Sequence, residues 1–189
     1  GAGLTIETWI KPSAIDLERP IAEWNSVTGG NPYPYGVHFW ISVPVGYGAG
    51  PGCLYANLVD TAGNFHWLTS AGGLINTNSF QHVAMTYDQS SGLAALLLNG
   101  AVVAQQNLGS FTPQTSYNLY LGNRPAGPAA AEHWAGLLDE VSLYSRALNP
   151  AEIQAIYAAG SAGKCVVSNP PPVSPVIVSP PTNVTVYIG

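Results

Sequence analysis

The feature that most constrains the fold is a series of short runs in which apolar and polar residues alternate. Three such runs lie at residues 4–10, 37–43 and 53–59. Because strand side chains point alternately to opposite faces, each run gives a strand with one apolar face. An Asn99-Gly100 pair between two further apolar runs is a strong signal for a type I′ hairpin turn. Many short strands separated by Gly and Pro predict an all-β, two-sheet antiparallel sandwich.

One helix is predicted, in the second half of the segment 134–160. Asn149 is a good N-cap, Pro150 fits the first helical position, and Glu152 stands where a capping-box acid belongs. Apolar residues then recur at helical spacing, and Gly160 offers a C-terminal stop. The pattern predicts a single short helix near the carboxyl end of the sandwich.

Five segments resemble, in the same order, those of laminin-G-like (concanavalin A-like) jelly-roll domains. They are LTIETWIKP, FQHVAMTYDQSSG, LLLNGAVVAQQ, YNLYLGNRPAG and WAGLLDEVSLYSRALNPAEIQAIYAAG, at residues 4–12, 80–92, 96–106, 117–127 and 134–160. The resemblance implies a jelly roll of two antiparallel sheets with one short C-terminal helix. The family usually has a strand before the first of these segments, and here only Gly1-Ala2-Gly3 precede it.

Composition excludes several classes of partner. Only 8% of the residues are charged, against roughly 25% in a typical domain. The five Lys and Arg residues are scattered, so nucleic acid is a poor candidate partner. No apolar run approaches the length of a membrane span, and no signal peptide is recognisable. We therefore expect neither nucleic-acid binding nor membrane insertion.

Two cysteines, Cys53 and Cys165, form an even pair. In an extracellular chain they would most simply form one disulfide, which would add about 4–5 kcal/mol in the chain-entropy model. The alternatives are two buried thiols or pairing between chains. We expect an extracellular or cell-surface location.

The chain divides into three parts by composition. Residues 1–165 form the predicted jelly-roll domain, residues 166–181 a Pro-rich linker, and residues 182–189 an isolated strand. In that strand Val184, Val186 and Ile188 share one face. It is either a strand donated to a sheet edge or the start of an immunoglobulin-like domain.

Residues for catalysis are not evident. A glycosidase on this fold needs two carboxylates facing one cleft, as in the E-x-D-x-E strand of concanavalin-like glucanases. Asp139 and Glu140 are adjacent, so on a strand they point to opposite faces. Asp16 and Glu18 alternate, but in a polar, loop-like stretch. None of the four histidines belongs to a short-spaced metal motif. We expect a protein that is not an enzyme.

The resemblance implies one metal. Many members of the family hold a structural Ca²⁺ with an acid of the "L/I-D-E-V" strand, and Asp139 matches that acid. Calcium prefers six to eight oxygen ligands. The alternative is that Asp139 or Glu140 accepts backbone hydrogen bonds at a corner of the sheet. Structural Ca²⁺ is the one cofactor expected.

Loop aromatics are the candidate ligand-binding residues. Tyr33 and Tyr35 lie in the Pro-stiffened turn NPYPYG, Tyr47 lies in the Gly-rich VGYGAGPG, and Trp67 follows a turn. Aromatic rings with amides nearby suit neutral sugars. The alternative is that these rings anchor loops or fill the core, because Tyr and Trp bury large areas.

Two functions follow from these observations. The first is a non-catalytic extracellular adhesive or structural module that assembles head-to-tail by donating the strand of Val184, Val186 and Ile188 to the next copy. The alternative is a carbohydrate-binding module cut from a larger secreted enzyme or adhesin. The expected partners are copies of the same chain, other extracellular proteins, or glycans.

Overall fold

The computed structural model describes residues 1–28, 33–130 and 132–162. Within them the strands are β1 (Gly3–Pro12), β2 (Arg19–Asn25), β3 (Tyr35–Ile41), β4 (Leu54–Asn57), β5 (Trp67–Thr69), β6 (Gln81–Asp88), β7 (Leu93–Leu98), β8 (Ala101–Asn107), β9 (Asn118–Leu121) and β10 (Gly136–Tyr144). A helix, α1 (Pro150–Ala159), is followed by a 3₁₀ turn at Gly160–Ala162. The predicted linker, the predicted C-terminal strand and Cys165 lie outside the described residues.

The strands form two antiparallel sheets of five strands each. The first sheet has the order β10-β1-β6-β7-β8, and the second has the order β5-β4-β3-β2-β9. Strands distant in sequence are neighbours in both sheets, as β1 and β10 are. The predicted jelly-roll sandwich with one short helix is confirmed.

The core lies between the two sheets, and the alternation of the sequence decides which residues enter it. From β1, Ile6 and Ile10 point inward and are fully buried. From β3, Val37 and Phe39 meet them from the second sheet. The intervening residue, His38, therefore faces away from the core, on the outer side of the second sheet.

The hairpin between β7 and β8 has the predicted turn. Asn99 and Gly100 have φ angles of 50° and 79°. A type I′ turn requires positive φ at both central residues, which Asn and Gly tolerate better than other residues.

The helix covers the outer face of the first sheet. Asn149 accepts a hydrogen bond from the Glu152 backbone, and the Glu152 side chain accepts one in return from the Asn149 backbone, which completes the predicted capping box. Ile153 of α1 packs with Ala84 and Leu97 on this outer face. No helix formed by the described residues has the length and apolar character that crossing a membrane requires.

Candidate functional site

A cleft of about 680 Å³ lies on the outer face of the second sheet. Because β3 and β4 send alternate residues into the core, the residues between them face the cleft: His38 and Trp40 from β3, and Tyr55 and Asn57 from β4. These four side chains form the floor. We call this feature the aromatic cleft.

The rim of the aromatic cleft carries exposed rings. Tyr47, on the loop between β3 and β4, is 76% exposed, and Trp67, the first residue of β5, is 50% exposed. Phe65 precedes Trp67 and also lines the cleft. Exposed large aromatic residues grouped around a concavity are typical of a binding surface.

A stack of three rings supports one end of the cleft. The Tyr33 ring centroid lies 5.3 Å from that of Tyr35 and 4.8 Å from that of Phe65. The Tyr35 and Phe65 rings are nearly parallel, with centroids 6.1 Å apart. Tyr33 lies just before β3, Tyr35 is its first residue, and Phe65 lies in the loop before β5, so rings from two separate segments hold one another in place and make this end of the cleft pre-formed.

A buried ion pair joins the floor to the loop after β9. Arg124 Nε donates to both carboxylate oxygens of Glu23, at 3.0 and 2.8 Å. Trp40 Nε1 and Asn25 Nδ2 donate to the same carboxylate, at 3.2 and 2.8 Å. Burial raises the pKa of Glu23 above its ordinary value, and Arg124 opposes that shift. With several donors the buried carboxylate is well satisfied.

Arg124 also stacks between two rings. Its guanidinium carbon lies 4.7 Å from the Tyr35 ring centroid and 4.3 Å from that of Trp40. Its Nη1 donates to the Pro128 carbonyl oxygen at 2.9 Å. At Gly127, where φ is 99°, a Cβ atom would lie 3.0 Å from the Tyr35 ring, so glycine permits this loop to approach.

One wall of the aromatic cleft is acidic. Glu18 lines the cleft, and burial raises its pKa. The positive charge of Arg124 lowers that pKa, and to a smaller extent the negative charge of Glu132 raises it. Asp16 and Glu132 line a neighbouring pocket that Glu18 also lines, and Asp16 Oδ1 lies 3.5 Å from Arg19 Nη2.

His38 is held uncharged. Its Nδ1 lies 2.9 Å from the Gly36 carbonyl oxygen, and because a carbonyl can only accept, Nδ1 carries the hydrogen. Burial, and next the charge of Arg124, lower the pKa of His38 to about 3. A neutral imidazole therefore faces the cleft at physiological pH.

The structure places three of the predicted ligand-binding residues, Tyr35, Tyr47 and Trp67, at the aromatic cleft. The fourth, Tyr33, reaches it through the ring stack. Sequence reasoning missed Arg124, whose partner Glu23 lies 101 residues away.

Trp40 and Tyr55 of the floor were also missed. Their positions in the sequence indicate an outward orientation, because each alternates with the core-facing residues of its run.

Asp139, the predicted calcium ligand, lies on β10, away from the aromatic cleft. Its Oδ1 accepts a hydrogen bond from the Glu140 backbone at 2.8 Å, as the alternative hypothesis expected. Within the described part of the chain, no group of three or more His, Cys, Asp or Glu side chains could hold a metal ion. Calcium binding at Asp139 stays a prediction.

Cys53 is fully buried, and its Sγ lies 3.7 Å from the Val43 carbonyl oxygen. Since Cys165 lies outside the described residues, the disulfide also stays a prediction.

Solved structures with this architecture include a carbohydrate-binding module, a pentraxin and the binding domain of a toxin. The carbohydrate-binding module CBM40 of the Ruminococcus gnavus IT-sialidase, solved with α2,3-sialyllactose, has a TM-score of 0.65 and 18% identity over 82% of each chain. The SAP-like pentraxin of Limulus polyphemus has a TM-score of 0.61 and 15% identity, over 84% of this chain and 71% of its own. The botulinum neurotoxin serotype D binding domain has a TM-score of 0.57 and 16% identity, over 84% of this chain and 36% of its own.

At these identities the likeness shows the fold alone. No curated protein sequence matches the chain. A family model does match, Laminin_G_3, over residues 1–154. The chain therefore belongs to the Laminin_G_3 family of the concanavalin A-like lectin/glucanases superfamily.

Proposed function

We propose that this domain is a non-catalytic carbohydrate-binding module and that the aromatic cleft is its glycan site. The observation that carries the proposal is the grouping of exposed Tyr47 and Trp67 rings around a pre-formed concavity. Sugar rings present flat C–H faces that pack on aromatic rings, while their hydroxyl groups need hydrogen-bonding partners. Asn57 and His38 provide polar atoms beside the rings.

The fold supports a binding role in general. The sialidase module, which shares the architecture, was solved with a bound oligosaccharide. The acid that faces the floor, Glu23, is fully buried and held by Arg124, so it is unsuited to proton transfer with a substrate. Glu23 therefore acts as a structural residue beneath the floor and not as a catalytic acid.

The first test compares two exposed aromatic residues. Trp67→Ala removes a ring from the cleft, and we expect a loss of affinity of about five- to thirtyfold for retained glycans on an array, because a stacked ring contributes on the order of 1–2 kcal/mol. Phe80→Ala is the matched control, since Phe80 is 42% exposed and does not line the cleft. Binding unaffected by Trp67→Ala, or no binding of the unaltered protein to any glycan, would contradict the proposal.

A second function, head-to-tail assembly, is supported by the place of β10 in the first sheet. Among the described strands β10 stands at one end of that sheet, and its Leu137 and Leu143 are exposed. A strand at the end of a sheet can accept an added strand. The proposed donor is the segment 182–189 with Val184, Val186 and Ile188.

Negative-stain electron microscopy of the full chain tests this second function. Regular filaments that disappear when residues 182–189 are deleted would support strand donation. Monodisperse particles, or filaments unchanged by the deletion, would exclude it.

We also propose that the domain is secreted to the cell exterior and that a structural Ca²⁺ binds at Asp139. If calcium contributes to stability, EDTA lowers the melting temperature, and added CaCl₂ restores it in the unaltered protein but not in Asp139→Asn. A melting temperature unchanged by EDTA would remove calcium from the proposal.

A further inference from the structure

We propose that the aromatic cleft selects neutral saccharides and discriminates against glycans that carry a carboxylate, such as sialylated or uronic-acid chains. This inference rests on the proposed glycan-binding function and specifies its ligand class. Three properties of the cleft support this inference: its cation, Arg124, is already paired with an acid, its wall carries an acid, and its floor is uncharged.

The cation at the cleft is already neutralised. Arg124 Nε is shared between both oxygens of Glu23, and Nη1 is used by the Pro128 carbonyl oxygen. The guanidinium lies over the rings of Tyr35 and Trp40, and the Arg124 side chain is only 9% exposed. A ligand carboxylate would have to compete with Glu23 for this cation, and the buried Glu23 cannot lose its partner without a large cost.

The wall of the cleft carries one carboxyl group, that of Glu18. Glu18 also lines a neighbouring pocket together with Asp16 and Glu132, so this side of the cleft borders an acidic surface. A carboxylate brought here meets like charges while losing its hydration shell, and both effects oppose binding.

The floor suits uncharged ligands. Tyr55 stays protonated, since burial raises its pKa to about 12, and His38 is uncharged. The remaining surface is made of Trp67, Tyr47 and the amide of Asn57. Such a floor offers ring faces and neutral hydrogen-bonding atoms, which match sugar rings and hydroxyl groups.

The experiment uses a glycan array on which each neutral oligosaccharide is printed beside the same chain extended by sialic acid or by glucuronic acid. The best-retained pair is then measured by isothermal titration calorimetry with the full chain. We expect the neutral member to bind at least about tenfold more tightly. Its affinity should change less than twofold between 50 and 500 mM NaCl, because no ion pair forms with the ligand.

Removal of the charge of Glu18 tests whether the wall causes the preference for neutral glycans. In Glu18→Gln we expect the ratio of neutral to acidic affinity to fall about threefold or more. Glu140→Gln, an acid on the first sheet, is the matched control and should leave the preference unchanged. A preference unaltered by Glu18→Gln would overturn the role of the wall.

The two proposals fail differently. If the acidic member binds equally or more tightly, selectivity for neutral glycans is wrong and glycan binding stands. If no printed glycan is retained, both are wrong.

Discussion

At the scale of single residues, the main feature is a charged pair in a protein with few charges. Glu23 and Arg124 are almost entirely buried beneath the aromatic cleft, and each is satisfied by further hydrogen bonds. Such a pair adds little net stability over apolar residues of similar volume, but removal of one partner leaves an uncompensated buried charge. The pair therefore fixes how Tyr35 and Trp40 are placed.

Arg124→Met should lower the free energy of unfolding by about 3–5 kcal/mol, because Glu23 is left buried and unpaired. Urea denaturation of Arg124→Met, of Glu23→Gln and of the double variant measures this. We expect the double variant to be more stable than Arg124→Met alone. A double variant as unstable as the sum of both single variants would show that the two residues do not interact.

His38 predicts a pH dependence of stability. The pKa of His38 is about 3 in the folded state and about 6.5 in the unfolded state, so between these values only the unfolded chain takes up the proton. The free energy of unfolding therefore falls as pH falls below 6.5, by roughly 2 kcal/mol at pH 5 from this residue.

Urea denaturation at pH 7.5 and pH 5 checks this prediction in His38→Asn, whose amide can still donate to the Gly36 carbonyl oxygen. The difference between the two pH values should shrink in this variant. It should persist in His133→Asn, a change at an exposed histidine. Equal pH dependence in all three proteins would contradict the assignment.

At the scale of elements, the β7–β8 hairpin is tied to the helix across the outer face of the first sheet. A Cβ atom at Gly100 would contact the side chain of Gln154, which belongs to α1. The turn therefore needs glycine at position 100 for two reasons: the positive φ and the limited space beneath α1.

A comparison of Gly100→Ala with Gly109→Ala separates the cost of the positive φ from the cost of the contact with Gln154. Gly109 has a φ of 87° with nothing within 4 Å of the added Cβ atom, so its replacement should cost only the left-handed conformation, about 1–2 kcal/mol. Gly100→Ala should cost more, because the Gln154 side chain must also move and its Cα atom lies 3.2 Å from the added Cβ atom. Thermal denaturation measures both, and equal losses would show that the contact with Gln154 is unimportant.

The same elements show what the sequence could and could not predict. The hairpin turn at Asn99 and the capping box at Asn149 are set by residues close in sequence, so local patterns predicted them correctly. The inward face of β3 followed from alternation. Arg124 carried no local signal, because its role depends on Glu23, a residue 101 positions away that only the folded sheet brings near.

At the scale of the whole molecule, the two sheets have different outer faces. Helix α1 covers the first sheet, whereas the second sheet carries the aromatic cleft. On the outer face of the second sheet, the described residues form only a small buried cluster of Trp40, Val43, Cys53 and Tyr55, and no described helix covers it. This asymmetry leaves a concave polar and aromatic face on the second sheet.

The predicted Cys53–Cys165 disulfide is a second feature of the whole molecule. If it forms, dithiothreitol should lower the melting temperature, reflecting a loss of up to about 4–5 kcal/mol in the free energy of unfolding. Cys165→Ser should reproduce that loss without reductant. Mass spectrometry after alkylation under denaturing conditions counts the thiols, and two alkylated cysteines in the untreated protein would exclude the bridge.

The position of the first described strand and of the helix has a practical consequence. Gly1 and Gly3 lie against Ser145 and Ala147, next to α1, so both ends of the described domain lie on the side of the first sheet. The aromatic cleft opens in the opposite direction. A fluorescent reporter or an immobilisation tag joined at either end of residues 1–162 would therefore leave the cleft open, and several copies could be linked in tandem to raise avidity.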